Sequence, residues 1–153
     1  MEVMVSLMMS PVKRYRIVLD SSVWVSALRS NRGTSFRLLS MIDDIRFTVH
    51  LSAPLYLEYE DTARRLVDDS SLTNDAVDAI LGYVCAIAYL HRIDFSWRPF
   101  LPDANDDMIL ELAANAQCDC IVTFNKRHFI QVDRFGIAVL TPREFLAKPG
   151  VHT

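Results

Sequence analysis

Asp20, Glu58, Asp106, Asp107 and Asn125 are the residues whose types and spacing could do chemistry. Asp20 closes an apolar run, residues 15–19, and two small hydroxyl residues, Ser21 and Ser22, follow it. Glu58 lies a few residues past a second apolar run, 47–51. Asp106 and Asp107 open an apolar-periodic segment, and Asn125 follows a third run ending at Thr123. If the runs are parallel strands, strand carboxyl ends and helix N-termini lie on one side of the sheet, where α/β proteins gather their ligands. Carboxylates brought together there repel one another. A hard divalent cation such as Mg²⁺ or Mn²⁺ relieves the repulsion and takes oxygen ligands. Each residue also has a plainer reading: Asp20 as a helix cap, Asp106 or Asp107 as an acid favoured by a helix dipole, Glu58 as a solvated helix acid beside Glu60, and Asn125 as a turn cap. Only their common side of the sheet favours a site.

The elements that must position them follow from periodicity. Residues 15–19 are short, apolar and β-branched, as a buried strand requires. Ser21 or Ser22 is expected to cap a helix through 23–29. Asn31-Arg32-Gly33 is a turn signal. Thr34 or Ser35 then starts a helix with Phe36, Leu38, Leu39 and Ile42 on its core face, closed by Asp43-Asp44. After strand 47–51, Ser52 caps a helix reaching Leu66, with Pro54 in its first turn, where a missing N–H is harmless. Thr73 or Asn74 opens a helix over 73–90, with Val77, Ile80, Leu81, Val84, Ile87 and Ala88 at helical spacing. A short strand is expected at 93–95 and a Pro-containing connection at 97–103. A helix over 106–116, strands at 119–123 and 137–140, and a Thr141-capped turn complete the chain. Strands alternating with helices predict an α/β fold with a central parallel sheet and right-handed crossovers.

The 153 residues suit one domain, and 51% hydrophobic content supports a real core. The expected domain is 13–148, with 1–12 a loosely held tail. That Met-rich tail lacks the basic start and long apolar core of a signal peptide, and translation beginning at Met8 or Met9 would shorten it. No apolar run reaches the ~18 residues of a membrane span, so a cytoplasmic protein with no membrane partner is expected. A net charge of −3 and pI near 5.7 argue against a broad basic nucleic-acid surface. They leave nucleic acid open, because acids around a metal depress the formal charge. Cys85, Cys118 and Cys120 are an odd number in apolar contexts, expected as buried reduced thiols; the C-x-C lacks the second pair that zinc needs.

Five segments together resemble the PIN-domain family: Val18-Leu19-Asp20-Ser21-Ser22-Val23, the run from Leu51 through Glu58 to Glu60, Leu101-Pro102-Asp103-Ala104-Asn105-Asp106-Asp107 through Ala113, Ile121 through Phe129, and Phe135-Gly136-Ile137 through Leu146. The likeness covers residues 16–146, and is greatest to the VapC-like toxin components of type II toxin–antitoxin systems. It implies a three-layer α/β/α, Rossmann-like fold and a Mg²⁺- or Mn²⁺-dependent endoribonuclease, with an RNA substrate, a cognate antitoxin and a homodimer. Asp20 matches the first family acid and Glu58 the second. Asp106 is the better match for the third, with Asp107 one residue out of register. The fourth position, often Asp in the family, is Asn125, which lowers the acid count; Ser22 stands where a small polar residue is common. On this reading Asp20, Glu58, Asp106 and Asn125 are catalytic, and Asp20, Glu58 and Asp106 or Asp107 hold the metal. Arg29, Arg32, Lys126 and Arg127 are expected to flank the cleft and contact the RNA backbone. His128 is expected to be structural or a phosphate contact.

Two rival readings remain from the residues. A haloacid-dehalogenase-type phosphatase needs a second Asp two residues after the first, where Ser22 stands, and the acidic pattern of a phosphotransfer receiver is not evident. A PIN-like fold kept as a weak or inactive binding module is the other, left open by Asn125.

Overall fold

In the computed structural model, which describes residues 14–93 and 101–151, the apolar runs form a parallel sheet. Its strands are β1 (Tyr15–Leu19), β2 (Phe47–Ser52), β3 (Tyr89–His91), β4 (Cys120–Val122) and β5 (Ala138–Leu140). They lie in the order β3-β2-β1-β4-β5, every neighbouring pair parallel. All six residues of β2 are buried, the pattern expected of an inner strand covered on both faces. The chain runs outward from β1 through β2 to β3, returns beside β1 as β4, and continues the other way to β5. β1 and β4 therefore flank a topological switch point, where an α/β sheet opens a crevice beyond its carboxyl edge.

Helices α1 (Ser21–Arg29), α2 (Thr34–Ser40), α3 (Ala53–Val67), α4 (Asn74–Ile87) and α5 (Ala104–Asn115) connect the strands, and α6 (Pro142–Leu146) follows the last. α5 lies against β1, β2 and β4, and α1 packs on α2 and α3. Ser52 caps α3 by accepting from Leu55 N–H, Thr73 caps α4 by accepting from Ala76 N–H, and Thr141 with Glu144 forms a capping box on α6. One core cluster spans the molecule from Tyr15 to Val151. The chain end closes it: Tyr15 Oη donates to Pro149 O at 3.0 Å and Arg46 to Val151 O at 2.9 Å.

One buried contact ties two helices to the end of β1. Trp24 of α1 stacks on Tyr59 of α3, ring centroids 4.8 Å apart, and its Nε1 donates to Tyr59 O at 2.9 Å. The Tyr59 hydroxyl donates to Leu19 O. Burial, and then the charge of Asp20, push the Tyr59 phenol well above its ordinary pKa, so it stays a donor. Leu19 precedes Asp20, so this contact fixes where β1 stops and the site begins.

Several expectations change. The helix expected over 73–90 stops at Ile87, and residues 89–91 form β3. Ala88 turns to extended backbone, and the next residues pair with β2, Tyr89 opposite His50 and His91 opposite Ser52. The His50 ring, fully buried, stacks on Tyr89 and shares hydrogen bonds with Thr48 and His91 at 2.8 and 2.6 Å. Burial, with Arg16 and His91 nearby, lowers the His50 pKa to about 4, so His50 stays neutral, and burial lowers the His91 pKa too. Tertiary pairing overrides helical periodicity here. The strand expected at 93–95 is absent at Ile93, and 94–95 lie outside the described residues, as do the tail 1–12 and most of the 97–103 connection. Phe36, expected in the core, is 41% exposed, while Leu38 is fully buried; α2 is too short to bury a wide face. Two 3₁₀ turns, Lys126–Phe129 and Val132–Phe135, follow β4 in a stretch that periodicity left unread. Cys118 and Cys120 are buried, Cys85 is half-buried, and all three are free thiols. Among the described residues no helix is long and apolar enough to cross a membrane.

Candidate active site at the strand switch point

Asp20 sits at the N-cap position of α1 but does not cap it. Its side chain turns across the switch point instead. Oδ2 accepts from Ser22 Oγ at 2.8 Å and from Thr123 Oγ1 at 2.7 Å. Each hydroxyl has one proton to give, and a backbone group directs it: Phe124 N–H donates to Ser22 Oγ at 3.2 Å, and Asn125 N–H to Thr123 Oγ1 at 2.9 Å. The turn after β4 thus aims two hydroxyls at one carboxylate oxygen. Oδ1 accepts from no donor among the described residues, and the side chain lines a cleft of about 320 Å³ shared with Ser22, Asp103, Asp106, Asn125 and His128.

Asp106 enters this cleft from α5. The helix begins two residues earlier than expected, at Ala104, with Asp103 as its cap accepting from Asn105 N–H. Asp106 therefore lies on the first turn, and only 8% of it is exposed. Burial first, then the charge of Asp103, and less so those of Asp20 and Asp107, push its carboxyl up to about 6. His128 Nδ1, 3.4 Å from Asp106 Oδ2, opposes the rise when protonated. Among the described residues, the carboxylate charge of the cleft is therefore only partly offset.

Asp107 does different work. Its Oδ1 accepts from Leu101 N–H at 2.7 Å, fastening the chain before α5, and it does not line the cleft. Glu58 is half-buried on α3, one residue before the anchored Tyr59; it too is not among the residues lining the cleft. Asn125 lines it and is half-buried. The structure thus brings Asp20, Asp106 and Asn125 together in one cleft lining that includes neither Glu58 nor Asp107. Among the described residues no three His, Cys, Asp or Glu side chains form a group that could hold an ion.

Of the four basic residues expected to flank the cleft, Arg29 and Arg32 lie elsewhere. Arg29 and Arg32 line a separate groove between α1, α2 and α4. α1 begins at the cleft and carries its last residue ~13 Å along its axis, at 1.5 Å per residue. Lys126 is paired with Glu144 at 3.0 Å. Arg127 lines the cavity next to the cleft. Thr123, a strand residue by pattern, and Asp103, the end of the Pro-containing connection, join the site only in the structure. The available signal was a hydroxyl residue directly after a strand with Asn two positions on, and an Asp at N-cap spacing.

The family model for the PIN domain matches residues 16–127. The chain belongs to the PIN-domain family. PIN domains are generally nucleases and generally depend on divalent metal, which sets aside the phosphatase reading. No curated protein matched this PIN domain. Among solved structures, seven chains match it. One belongs to the VapBC2 complex of Rickettsia felis bound to a DNA fragment from its promoter. That chain is 12% identical, with a TM-score of 0.58, over 82% of this chain and 98% of its own. At that identity the likeness speaks for the fold alone: the five-stranded parallel sheet with its helices is shared.

Proposed function

We propose that the protein is a Mg²⁺- or Mn²⁺-dependent endoribonuclease, the toxin of a toxin–antitoxin pair, acting in the cytoplasm as a homodimer with a cognate antitoxin. The observation that carries the catalytic part is the shared cleft of Asp20 and Asp106: one carboxylate oxygen oriented by two hydroxyls, its twin accepting from no donor among the described residues, and a second carboxyl raised to about 6 by burial and neighbouring acids. This donor set fits a hard cation, since Mg²⁺ is commonly held by one or two carboxylates with waters and substrate phosphates. Asp20 and Asp106 would hold it, and Glu58 is the third acid implied by the family, acting directly or through water. Asp107 is assigned to the fold through Leu101. When bound, the ion lowers the pKa of a water for attack on phosphorus and offsets charge on the phosphoryl oxygens.

The chain's own groups supply the rest. Ser22 and Thr123 keep the Asp20 carboxylate in one orientation. Asn125 presents an amide, both donor and acceptor, to water or to a phosphate oxygen, without the charge a fourth Asp would add. The toxin role rests on the sequence resemblance and on a fold shared with a chain of a VapBC complex.

The test is cleavage of mixed single-stranded RNA in Mg²⁺ or Mn²⁺, with and without chelator, beside expression in growing cells. Chelator-sensitive cutting and arrested growth without the antitoxin are expected. Absence of cutting by the wild-type protein sinks the catalytic reading; cutting without growth arrest removes the toxin role alone. Thr123→Val tests the hydroxyl support. It removes one of two donors to Asp20 Oδ2, and outer-shell losses of this kind weaken metal affinity by ~10–100-fold. Mn²⁺ titration should show that weakening; unchanged affinity would mean Thr123 serves packing only.

A further inference from the structure

Beside the Asp20–Asp106 cleft lies a second cavity of about 460 Å³, a size usual for a small-ligand site. Leu101, Pro102 and Ile130 form apolar walls, while Arg127, His128 and Gln131 supply polar groups. Asp103, Asp106 and His128 belong to both cavities, so whatever fills the second lies directly beside the first. Hydrolysis makes no use of three of its features. Ile130 is 64% exposed, an apolar side chain at the mouth of a polar cleft. Gln131 has φ 69, the left-handed region that side-chain-bearing residues rarely adopt. It opens a 3₁₀ turn, its carbonyl accepting from Arg134 N–H at 3.2 Å. The opposite wall is fastened by Asp107, through Leu101 N–H.

We propose that this cavity receives the base of the nucleotide flanking the scissile phosphate of a single RNA strand, with Gln131 reading its hydrogen-bonding edge. The proposal rests on the reading of the neighbouring cleft as the nuclease site. Single-stranded RNA is recognised by splaying bases out, stacking them on histidine rings or arginine planes, and bonding their edges. His128 and Arg127 offer such planes, and the Leu101, Pro102 and Ile130 walls exclude water from the faces of a base. The Gln131 amide carries both donors and an acceptor. The acidic wall sets the preference. With no cation bound, the neutral base rather than its phosphate takes the place beside Asp103 and Asp106, and carboxylates accept from an exocyclic amino group such as cytosine N4. Cytosine is therefore preferred over uracil, which presents a carbonyl there.

Titration of the full chain with cytidine and uridine 5′-monophosphates, in chelator and followed by amide chemical shifts, tests this without the metal or the cleavage step. Cytidine monophosphate is expected to shift the Ile130 and Gln131 amides saturably and to bind at least threefold more tightly than uridine monophosphate. Gln131→Ala should weaken it tenfold or more. Alanine meets the same left-handed restriction as glutamine, so the backbone need not change, and Ile130→Glu at an exposed position gives a second block. Silent amides, equal binding of the two nucleotides, or full binding by both variants overturn the proposal. Mapping cut sites on a random RNA pool separates it from the nuclease reading. Cutting with a base preference that Gln131→Ala flattens supports both. Cutting whose preference ignores Gln131 overturns the pocket alone. Binding without cutting overturns the nuclease reading and, with it, the placing of the base beside a scissile phosphate, and leaves a nucleotide-binding pocket alone.

Discussion

Asp20→Asn should abolish metal-stimulated RNA cleavage while leaving the fold intact. Asparagine keeps an oxygen for the Ser22 and Thr123 hydroxyls, so local packing survives. It loses the charge that would hold the cation. Lewis-acid stabilisation of the transition state is worth several kcal/mol; losing ~3 kcal/mol of it lowers the rate ~100-fold or more, at tenfold per ~1.4 kcal/mol. Single-turnover cleavage at saturating Mn²⁺ measures the loss, and circular dichroism confirms the fold. A folded variant that cuts like wild type places the catalytic metal elsewhere.

Asp106→Asn should move activity and stability in opposite directions. The Asp106 carboxyl is raised from 3.8 to about 6 in the folded chain. A raised carboxyl pKa means the folded state binds a proton that the unfolded state has released. Stability therefore falls as pH climbs from about 3.8 to about 6, and the loss persists above. A shift of this size corresponds to ~1–3 kcal/mol once partial solvent screening is allowed for. Metal-free Asp106→Asn, with no charge to bury, should be more stable than wild type by that amount at pH 7.5. The gap should close near pH 4. Added Mg²⁺ should raise the wild-type melting temperature by binding the folded state, and leave the variant unmoved. Urea denaturation at the two pH values checks the first two, and thermal melts with and without Mg²⁺ check the third. A variant less stable than wild type at pH 7.5 would mean that His128 already compensates the Asp106 charge.

The legible parts of this site are those set by neighbouring residues. Short apolar runs ending on Asp20 and near Asn125 defined β1 and β4 closely, because inner strands of a parallel sheet must be apolar throughout. Ser52, Thr73 and Thr141 marked helix starts by local side-chain-to-backbone bonding, which needs only neighbours in sequence. β3 was misplaced because residues 84–88 carry helical spacing up to the point where pairing with His50 and Ser52 begins. That pairing partner lies about forty residues upstream, beyond the reach of any local pattern.

Sequence alone determined the fold class, the family and the short set of acids from which a site could be built, because apolar period, capping and motif spacing are properties of neighbouring residues. Tertiary structure decided how those acids divide. It turned Asp20 away from capping α1 toward the hydroxyls of Ser22 and Thr123. It set Asp106 in the cleft and Asp107 against Leu101, a choice that one residue of helical rotation makes and that spacing in sequence does not resolve. It also raised the Asp106 carboxyl and opened the neighbouring cavity beside Gln131. Burial and converging charge depend on side chains that meet only when β1, α5 and the turn after β4 pack together.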